Sequence, residues 1–316
     1  MPVYPFPGRS ASSCTSPGCL CRDRRPAYPS DTTDEQWRVL RPEAETVMAG
    51  LVLAAGRPMV HDLRAMLDAV FYVARNGVEW RALPADFPPH AAVYKFFERW
   101  SQRELPETLV HRLRRRLRVH QGRDGEPTAV IVDSQIVKAA DTVGKDSRGF
   151  HGGKKINGRG RHAAVDAEGW LLSVVVTGAQ VSDRAGAKLL AISLLNALTT
   201  LKIMWADSGY DGKPLAIWMK QAAGLTLQII KRSDKPGFQV VSRRWVVERT
   251  FGWLLRYRRL VRDYERRPAH HEAMVYWATI MIMTRRLARY ETGIAPVRRW
   301  GGDRSHPSPK QDQQVA

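Results

Sequence analysis

The sequence predicts an α/β protein in which a small all-helical unit precedes a mixed sheet flanked by helices. Apolar residues recur at helical spacing between residues 34 and 121, and a polar, glycine-bearing linker follows at residues 121–127. Strand-like segments begin after the linker, and two of them, residues 129–134 and 203–209, are apolar runs that reach an Asp-Ser pair. Because parallel strands gather ligands at their carboxyl ends, we expect a functional site there.

The chain begins with a segment of different composition. Residues 1–30 are rich in Pro, Ser and Arg without periodicity, which predicts a disordered leader. Its cysteines, Cys14, Cys19 and Cys21, are too few for a disulfide framework, and a zinc site would lack a nearby fourth ligand. The rest of the chain is predicted to comprise a helical domain, a sheet domain and a flexible basic tail, at residues 31–121, 128–290 and 291–316.

Four helices are expected in the helical domain, because apolar residues repeat at i, i+3, i+4 and i+7 between clear start and stop signals. These signals are a cap at Thr33 or Asp34, a stop at Gly56-Arg57-Pro58, a left-handed stop at Asn76-Gly77, a break at Pro88-Pro89, and Pro106 before the fourth helix.

The chain is strongly basic. Lys and Arg number 50 against 31 Asp and Glu, a formal net charge of +19, which points to nucleic acid, with an anionic membrane surface as a weaker alternative. Arg112, Arg114 and Arg115 crowd the fourth helix, where phosphate contact and helical packing without DNA both stay open. No apolar stretch reaches the roughly 18 residues of a membrane span, so we expect a cytoplasmic, nucleoid-associated protein.

After the linker the expected order is strand, hairpin, helix, strand, helix, strand, helix. Residues 141–160 are expected to be a mobile loop, whose Lys154 and Lys155 either face solvent or clamp a DNA backbone. Asp166 is assigned to the hairpin turn and Asp183 to the N-cap of the next helix, so neither is placed in the site.

Three acidic residues, Asp133, Asp207 and Glu248, are the candidate catalytic and metal-binding residues. Taken singly, each Asp reads as a turn residue and Glu248 as an i, i+4 partner of Arg244. Together, three carboxylates suit Mg²⁺ or Mn²⁺, and two such ions about 3.5 to 4 Å apart support in-line displacement at phosphorus. A nucleic-acid backbone is the substrate that the net charge indicates.

Several segments together give the chain a resemblance to the DDE transposases of bacterial insertion sequences, in the group called family five and close to family four. The resemblance covers roughly residues 30–290 and implies a ribonuclease H-like catalytic domain, an N-terminal domain that recognises element ends, and Asp133, Asp207 and Glu248 as the metal-binding triad. The matching segments are residues 33–37, 75–84, 132–134, 158–162, 206–210 and 247–254.

One part of the pattern departs from this resemblance. The family-four signature places a Tyr seven residues before the Glu, an Arg four before it and a Lys seven after it. This chain has Val241, Arg244 and Leu255 at those positions, with Arg256 one residue later. The arginine agrees, whereas the tyrosine is missing.

The leading hypothesis is a cut-and-paste transposase that nicks the ends of its element and joins the 3′-hydroxyl to target DNA. Its partners would be the terminal inverted repeats and target duplex, bound by a homo-oligomer with two Mg²⁺ or Mn²⁺ ions. A nuclease that only hydrolyses DNA and a non-catalytic DNA-binding regulator are the alternatives. The predicted DNA contacts are Arg112, Arg114, Arg115, Lys154, Lys155, Arg161, Arg244 and Arg256.

Overall fold

The computed structural model describes residues 14–49, 59–230 and 244–293, which form eight α-helices and six strands. The helices are α1 (Asp34–Ala49), α2 (Leu63–Asn76), α3 (His90–Gln102), α4 (Leu105–His120), α5 (Asp183–Ala197), α6 (Lys213–Ala223), α7 (Arg244–Leu254) and α8 (Pro268–Thr292). The strands are β1 (Ala129–Lys138), β2 (Gly149–His151), β3 (Ile156–Val165), β4 (Leu171–Gly178), β5 (Ile203–Ala206) and β6 (Thr226–Ile229).

The predicted start and stop signals act where the structure describes them. Thr33 and Gln36 exchange hydrogen bonds at the start of α1, since the Gln36 N–H donates to Thr33 Oγ1 at 3.2 Å. Gly77 ends α2 in the left-handed region, with φ of 72°. The expected stop at residues 56–58 and the basic turn at residues 231–235 lie outside the described residues.

The strands form one mixed sheet. Its order is β2-β3-β1-β5-β6, and β4 pairs with β3 as well. β3 is antiparallel to β1, β2 and β4, whereas β1, β5 and β6 run parallel to one another. The α/β class with a ribonuclease H-like mixed sheet, preceded by a helical region, is therefore confirmed.

The two faces of the sheet are covered by different helices because side chains alternate along each strand. Val130 and Val132 of β1 belong to a cluster with α5 and α6. Ile131, between them, belongs to the larger cluster with α7, α8 and the N-terminal helices. The result is a three-layer arrangement in which β1 lies between both cores.

Helix α8 joins the N-terminal helices to the sheet. Trp277 is fully buried, and its ring lies 5.9 Å from Phe71, 6.4 Å from Phe96 and 5.3 Å from Trp100 between centroids. The same helix packs on β4, and the Tyr276 hydroxyl accepts from the Val174 N–H at 3.3 Å. The linker at residues 121–127 thus marks a change in amino-acid composition, but the helices before it and the sheet after it share a hydrophobic core.

Two expectations about disorder are wrong within the described residues. Residues 14–30 are ordered: Arg24 is buried and pairs with Asp31 at 2.6 Å and Asp86 at 3.1 Å. Residues 141–160 contain β2 and the beginning of β3 rather than a continuous loop. Residues 1–13 of the predicted leader and residues 294–316 of the predicted tail lie outside the described part of the chain.

None of the helices in the described part of the chain is long and apolar enough to cross a membrane.

Candidate active site

Asp133 lies on β1, and Asp207 directly follows β5, the neighbouring parallel strand. β1 and β5 pair in parallel as far as Ile131 opposite Trp205. Continued for two residues, the same register sets Asp133 opposite Asp207, and adjacent strands lie about 4.8 Å apart. The strands therefore bring the two predicted carboxylates together, although β1 runs on to Lys138 and does not end at Asp133 as expected.

Local hydrogen bonds orient both carboxylates. Asp133 Oδ1 accepts from the Ser134 N–H at 2.7 Å, and Asp207 Oδ1 accepts from the Gly209 N–H at 2.8 Å. The second bond caps a short 3₁₀ turn at Ser208–Tyr210. Both side chains are partly exposed, so the carboxylate pair faces an open surface rather than the core.

Glu248 comes to this region on α7. Val247 and Phe251 are buried on the cluster that includes Ile131, so α7 packs against β1 and β3 on the face that Asp133 shares by alternation. Glu248 itself is exposed. Among the described residues, no three carboxylates bring their oxygens within 4.8 Å of one another, so the triad is not gathered into one coordination sphere here.

A fourth acid, Asp183, belongs to this region, which corrects the sequence prediction. The N-cap of α5 is Ser182, whose side chain accepts from the Ala185 N–H, and Asp183 is the first helical residue. The Ser134 hydroxyl donates to Asp183 Oδ1. Because Ser134 follows Asp133 on β1, this bond ties α5 to the strand beneath the site. An acid that looked like a cap gave no sequence signal for this role.

Tyr210 is buried beside the same acids. Its burial raises the pKa of its phenol far above the usual value, and the three neighbouring carboxylates raise it further, so the hydroxyl stays protonated. Those carboxylates are Asp133, Asp183 and Asp207. The site therefore contains a neutral hydroxyl held among anionic groups.

The close approach of α5 to β3 fixes the position of Asp183. A Cβ added at Gly186 would come within 2.1 Å of His162 Nδ1 on β3, so this position has no room for any side chain. The His162 ring is fully buried, with Nε2 3.0 Å from Thr177 Oγ1. Burial lowers the pKa of His162, so the ring is neutral where the helix rests on it.

A cleft of about 420 Å³ opens beside the acids. Asp183, Gly209, Phe150, His151 and Arg184 are among the residues that line it. Phe150 is 59% exposed although it is aromatic. The cleft thus has Asp183 and residues of β2 in its lining, and the exposed Lys154 and Lys155 follow β2 in the chain.

The arginines of α4 face protein carboxylates. Arg112 pairs with Glu43 at 2.6 Å, and Arg115 pairs with Glu126. The sequence shows no acid within this run, but the fold supplies acids from α1 and from the linker. The contact of Arg112 and Arg115 with phosphate stays a prediction, and a phosphate would compete with the glutamate that pairs with each arginine.

Two predicted phosphate contacts are wrong because the side chains lie in the interior. Arg114 is fully buried and pairs with Glu126 at 2.7 Å. Arg161 is also fully buried: its guanidinium donates to the Leu260 carbonyl at 3.0 Å, and burial lowers its pKa to about 10. Both arginines stabilise the fold and cannot reach a DNA backbone from these positions.

The two remaining predicted contacts lie at either end of α7. The Arg244 side chain lies outside the described residues. Arg256 is exposed, but α7 ends at Leu254. Arg256 therefore does not share a helical face with Glu248, and the residue spacing no longer supports a contact with DNA. Its exposure still does.

The donor atoms suit a hard divalent cation. Asp133, Asp207, Asp183 and Glu248 offer carboxylate oxygens, the ligands that Mg²⁺ and Mn²⁺ prefer. Two of them stand on adjacent strands and are already oriented by backbone N–H groups. The residues present therefore fit such an ion.

Comparison with known proteins gives three findings. Residues 124–283, about half of the chain, match the family model "Transposase DDE domain". Residues 32–110 match the model "Putative transposase of IS4/5 family". A curated relative from Burkholderia cepacia, "Putative transposase for insertion sequence element IS402", is 29% identical over 148 residues, covering 43% of this chain and 68% of the relative.

Proposed function

The chain belongs to the DDE transposase family, and we propose that it nicks the ends of its insertion sequence and joins the freed 3′-hydroxyl to target DNA. Family membership supports a DNA-transposing enzyme, and the DDE transposase domain generally implies the use of a divalent metal. The two transfer steps, the use of two Mg²⁺ or Mn²⁺ ions and the assignment of the site to Asp133, Asp207 and Glu248 belong to the proposal.

The parallel pairing of β1 with β5, whose register continues to Asp133 opposite Asp207, is the observation that carries the proposal. Two carboxylates from strands held in one register have a separation fixed by the sheet rather than by flexible loops. A divalent cation bound there would stabilise the negative charge that develops at phosphorus and lower the pKa of an attacking hydroxyl. Glu248, on the helix packed over β1, supplies the third carboxylate.

The surrounding residues hold this pair in place. Ser134 and Asp183 connect β1 to α5 through one hydrogen bond, and Gly186 allows that helix to approach. The protonated Tyr210 hydroxyl offers a donor among acids that would otherwise repel one another and a phosphodiester. These residues position the carboxylates and the DNA backbone.

We place the DNA along the cleft beside Asp183, within reach of Lys154 and Lys155. Both lysines are exposed and follow β2, whose Phe150 lines the cleft. Arg256 and the ion-paired Arg112 and Arg115 are further candidate contacts. The helical region at residues 31–121 is proposed to bind the element ends.

Acid-to-amide substitutions test the site. We expect Asp133→Asn, Asp207→Asn and Glu248→Gln each to abolish cleavage and joining of DNA that carries the inverted repeats flanking the gene. Affinity for that DNA should persist, because only the metal ligands change. Asp211→Asn is the matched control, since Asp211 is exposed four residues from Asp207 at the end of the same turn.

The outcomes separate the candidate functions. Near-normal cleavage by two of the three variants would show that the triad is wrong. Cleavage by the natural protein without any joined product would identify a nuclease that only hydrolyses DNA. Binding without cleavage in Mg²⁺ and in Mn²⁺ would identify a regulator.

We further propose that the protein acts as a homo-oligomer on DNA. An element has two ends, and one acidic site on each copy would process one end. The mass of the complex with end DNA should therefore correspond to at least two chains, whereas one chain per DNA pair would contradict this.

A further inference from the structure

Three cysteines and one histidine meet at the N-terminal edge of the helical region, far along the chain from the carboxylates. They are Cys14, Cys19, Cys21 and His61, and one ligand atom from each lies within 4.8 Å of all the others. None of the cysteines forms a disulfide. Residues 14–21 contain three of these ligands. The fold supplies the fourth, His61, from forty positions after Cys21.

We propose that Cys14, Cys19, Cys21 and His61 form a closed structural zinc site. Three thiolates and one imidazole are a donor set that soft-ligand sites use for Zn²⁺, whereas Mg²⁺ prefers oxygen. Because all four positions are filled by protein, such a site stabilises the fold and leaves no position for a substrate.

All four ligand atoms lie within 4.8 Å of one another, and two of three ligand–ligand distances are near those of a tetrahedral site. Zn–S bonds of about 2.3 Å and Zn–N bonds of about 2.0 Å give S···N edges of about 3.5 Å and S···S edges of about 3.8 Å. His61 Nδ1 lies 3.5 Å from Cys19 Sγ and 3.9 Å from Cys14 Sγ. Cys19 Sγ and Cys21 Sγ are 2.9 Å apart, which is closer than this edge and well beyond a bond of about 2.05 Å.

The surrounding backbone is arranged as a metal–thiolate turn requires. The backbone N–H groups of Ser16 and Asp62 donate to the Cys14 sulfur. Gly18, with φ of 67°, turns the chain between Cys14 and Cys19. Cys14 and Cys21 are 5% and 0% exposed, so the thiolates would be shielded from water.

The site would fasten the first ordered segment to the start of α2. The Thr15 N–H donates to the Val60 carbonyl at 2.8 Å, and His61 precedes Asp62, the N-cap of α2. Residues 14–31 then continue over the helical region through the buried ion pairs of Arg24. A zinc ion here would therefore stabilise the region that we propose binds the element ends, without taking part in phosphoryl transfer.

Metal analysis of the full-length chain, expressed with zinc and purified in a non-chelating reductant, tests the site. We expect about one zinc per chain for the natural protein, and loss of that zinc in Cys19→Ser and in His61→Asn. Two controls should keep it: His90→Asn, which changes an exposed histidine, and Asp207→Asn, which alters the carboxylate site. Natural protein without stoichiometric zinc, or full zinc in both ligand variants, would overturn the proposal.

Cobalt substitution of the natural protein gives a second measurement that does not depend on the folding of any variant. We expect thiolate-to-cobalt charge-transfer bands together with the ligand-field bands of a tetrahedral site, both removed by added Zn²⁺. An octahedral spectrum without charge transfer would contradict a Cys₃His site. Loss of zinc binding together with intact DNA joining would separate this proposal from the proposed function.

Discussion

Replacing Trp277 tests whether the helical region and the sheet share one core. The side chain is fully buried on α8 and contacts the rings of Phe71, Phe96 and Trp100 on α2 and α3. Truncation of a buried Trp to Ala costs about 3–5 kcal/mol, because it removes apolar burial and leaves a cavity. We expect Trp277→Ala to lower the free energy of unfolding of the full chain by that amount.

Urea unfolding followed by circular dichroism measures the effect. If the core is continuous, the natural protein and the variant both unfold in one transition, and the variant's midpoint falls. Trp245→Ala is the matched control: Trp245 is 40% exposed, so its loss should cost about 1 kcal/mol or less. Two transitions, of which the substitution shifts only one, would refute the shared core, as would a change below about 1 kcal/mol.

Three other predictions concern pH, packing and DNA contact. Burial raises the pKa of Glu272 to about 7 from 4.5, so its ionisation opposes folding increasingly from pH 4.5 to 7. In urea titrations, Glu272→Gln should therefore raise the free energy of unfolding by at most about 3 kcal/mol at pH 8 and leave it unchanged at pH 4. Equal gains at both pH values would contradict this. Gly186→Ala should cost about 1–3 kcal/mol because the methyl group meets His162, and an unchanged melting temperature would show that α5 can shift. Lys154→Gln and Lys155→Gln should each reduce the slope of log DNA affinity against log salt concentration by about one unit, with an unchanged melting temperature. An unchanged slope would exclude phosphate contact by that lysine.

The sequence predicted those parts of the site that local pattern and chain direction determine. Asp133 and Asp207 follow short apolar runs that pair in parallel, so their equal distance from the paired residues could be expected, although β1 runs on past Asp133 to Lys138. The Asn76-Gly77 stop was equally readable, because a left-handed residue at a helix end requires a glycine or similar residue.

The rest depended on partners distant in the sequence. The arginines of α4 looked unpaired because Glu43 and Glu126 come from other elements. Asp183 carried the pattern of a helix cap, and only the fold reveals its bond with Ser134. Charge patterns alone do not distinguish a buried ion pair from a surface that waits for phosphate.

The same limit applies to α8 and to the cysteines. The run from Ala273 to Met283 is the longest apolar stretch of the chain, and it lies in the buried helix α8, which joins the N-terminal helices to the sheet. The cysteine spacing gave no fourth ligand, because His61 comes from the segment just before α2. In both cases the decisive contact spans tens of residues or more.

Joining of a pre-cleaved element end to target DNA tests the central claim most directly. One substrate carries a 3′-hydroxyl at the element end, and its partner carries a 3′-deoxy terminus. We expect a covalent joint only with the hydroxyl substrate, only with a divalent cation, and not with Asp207→Asn. Equal amounts of joint from both substrates, or hydrolysis products alone from the natural protein, would contradict transfer of the 3′-hydroxyl at this site.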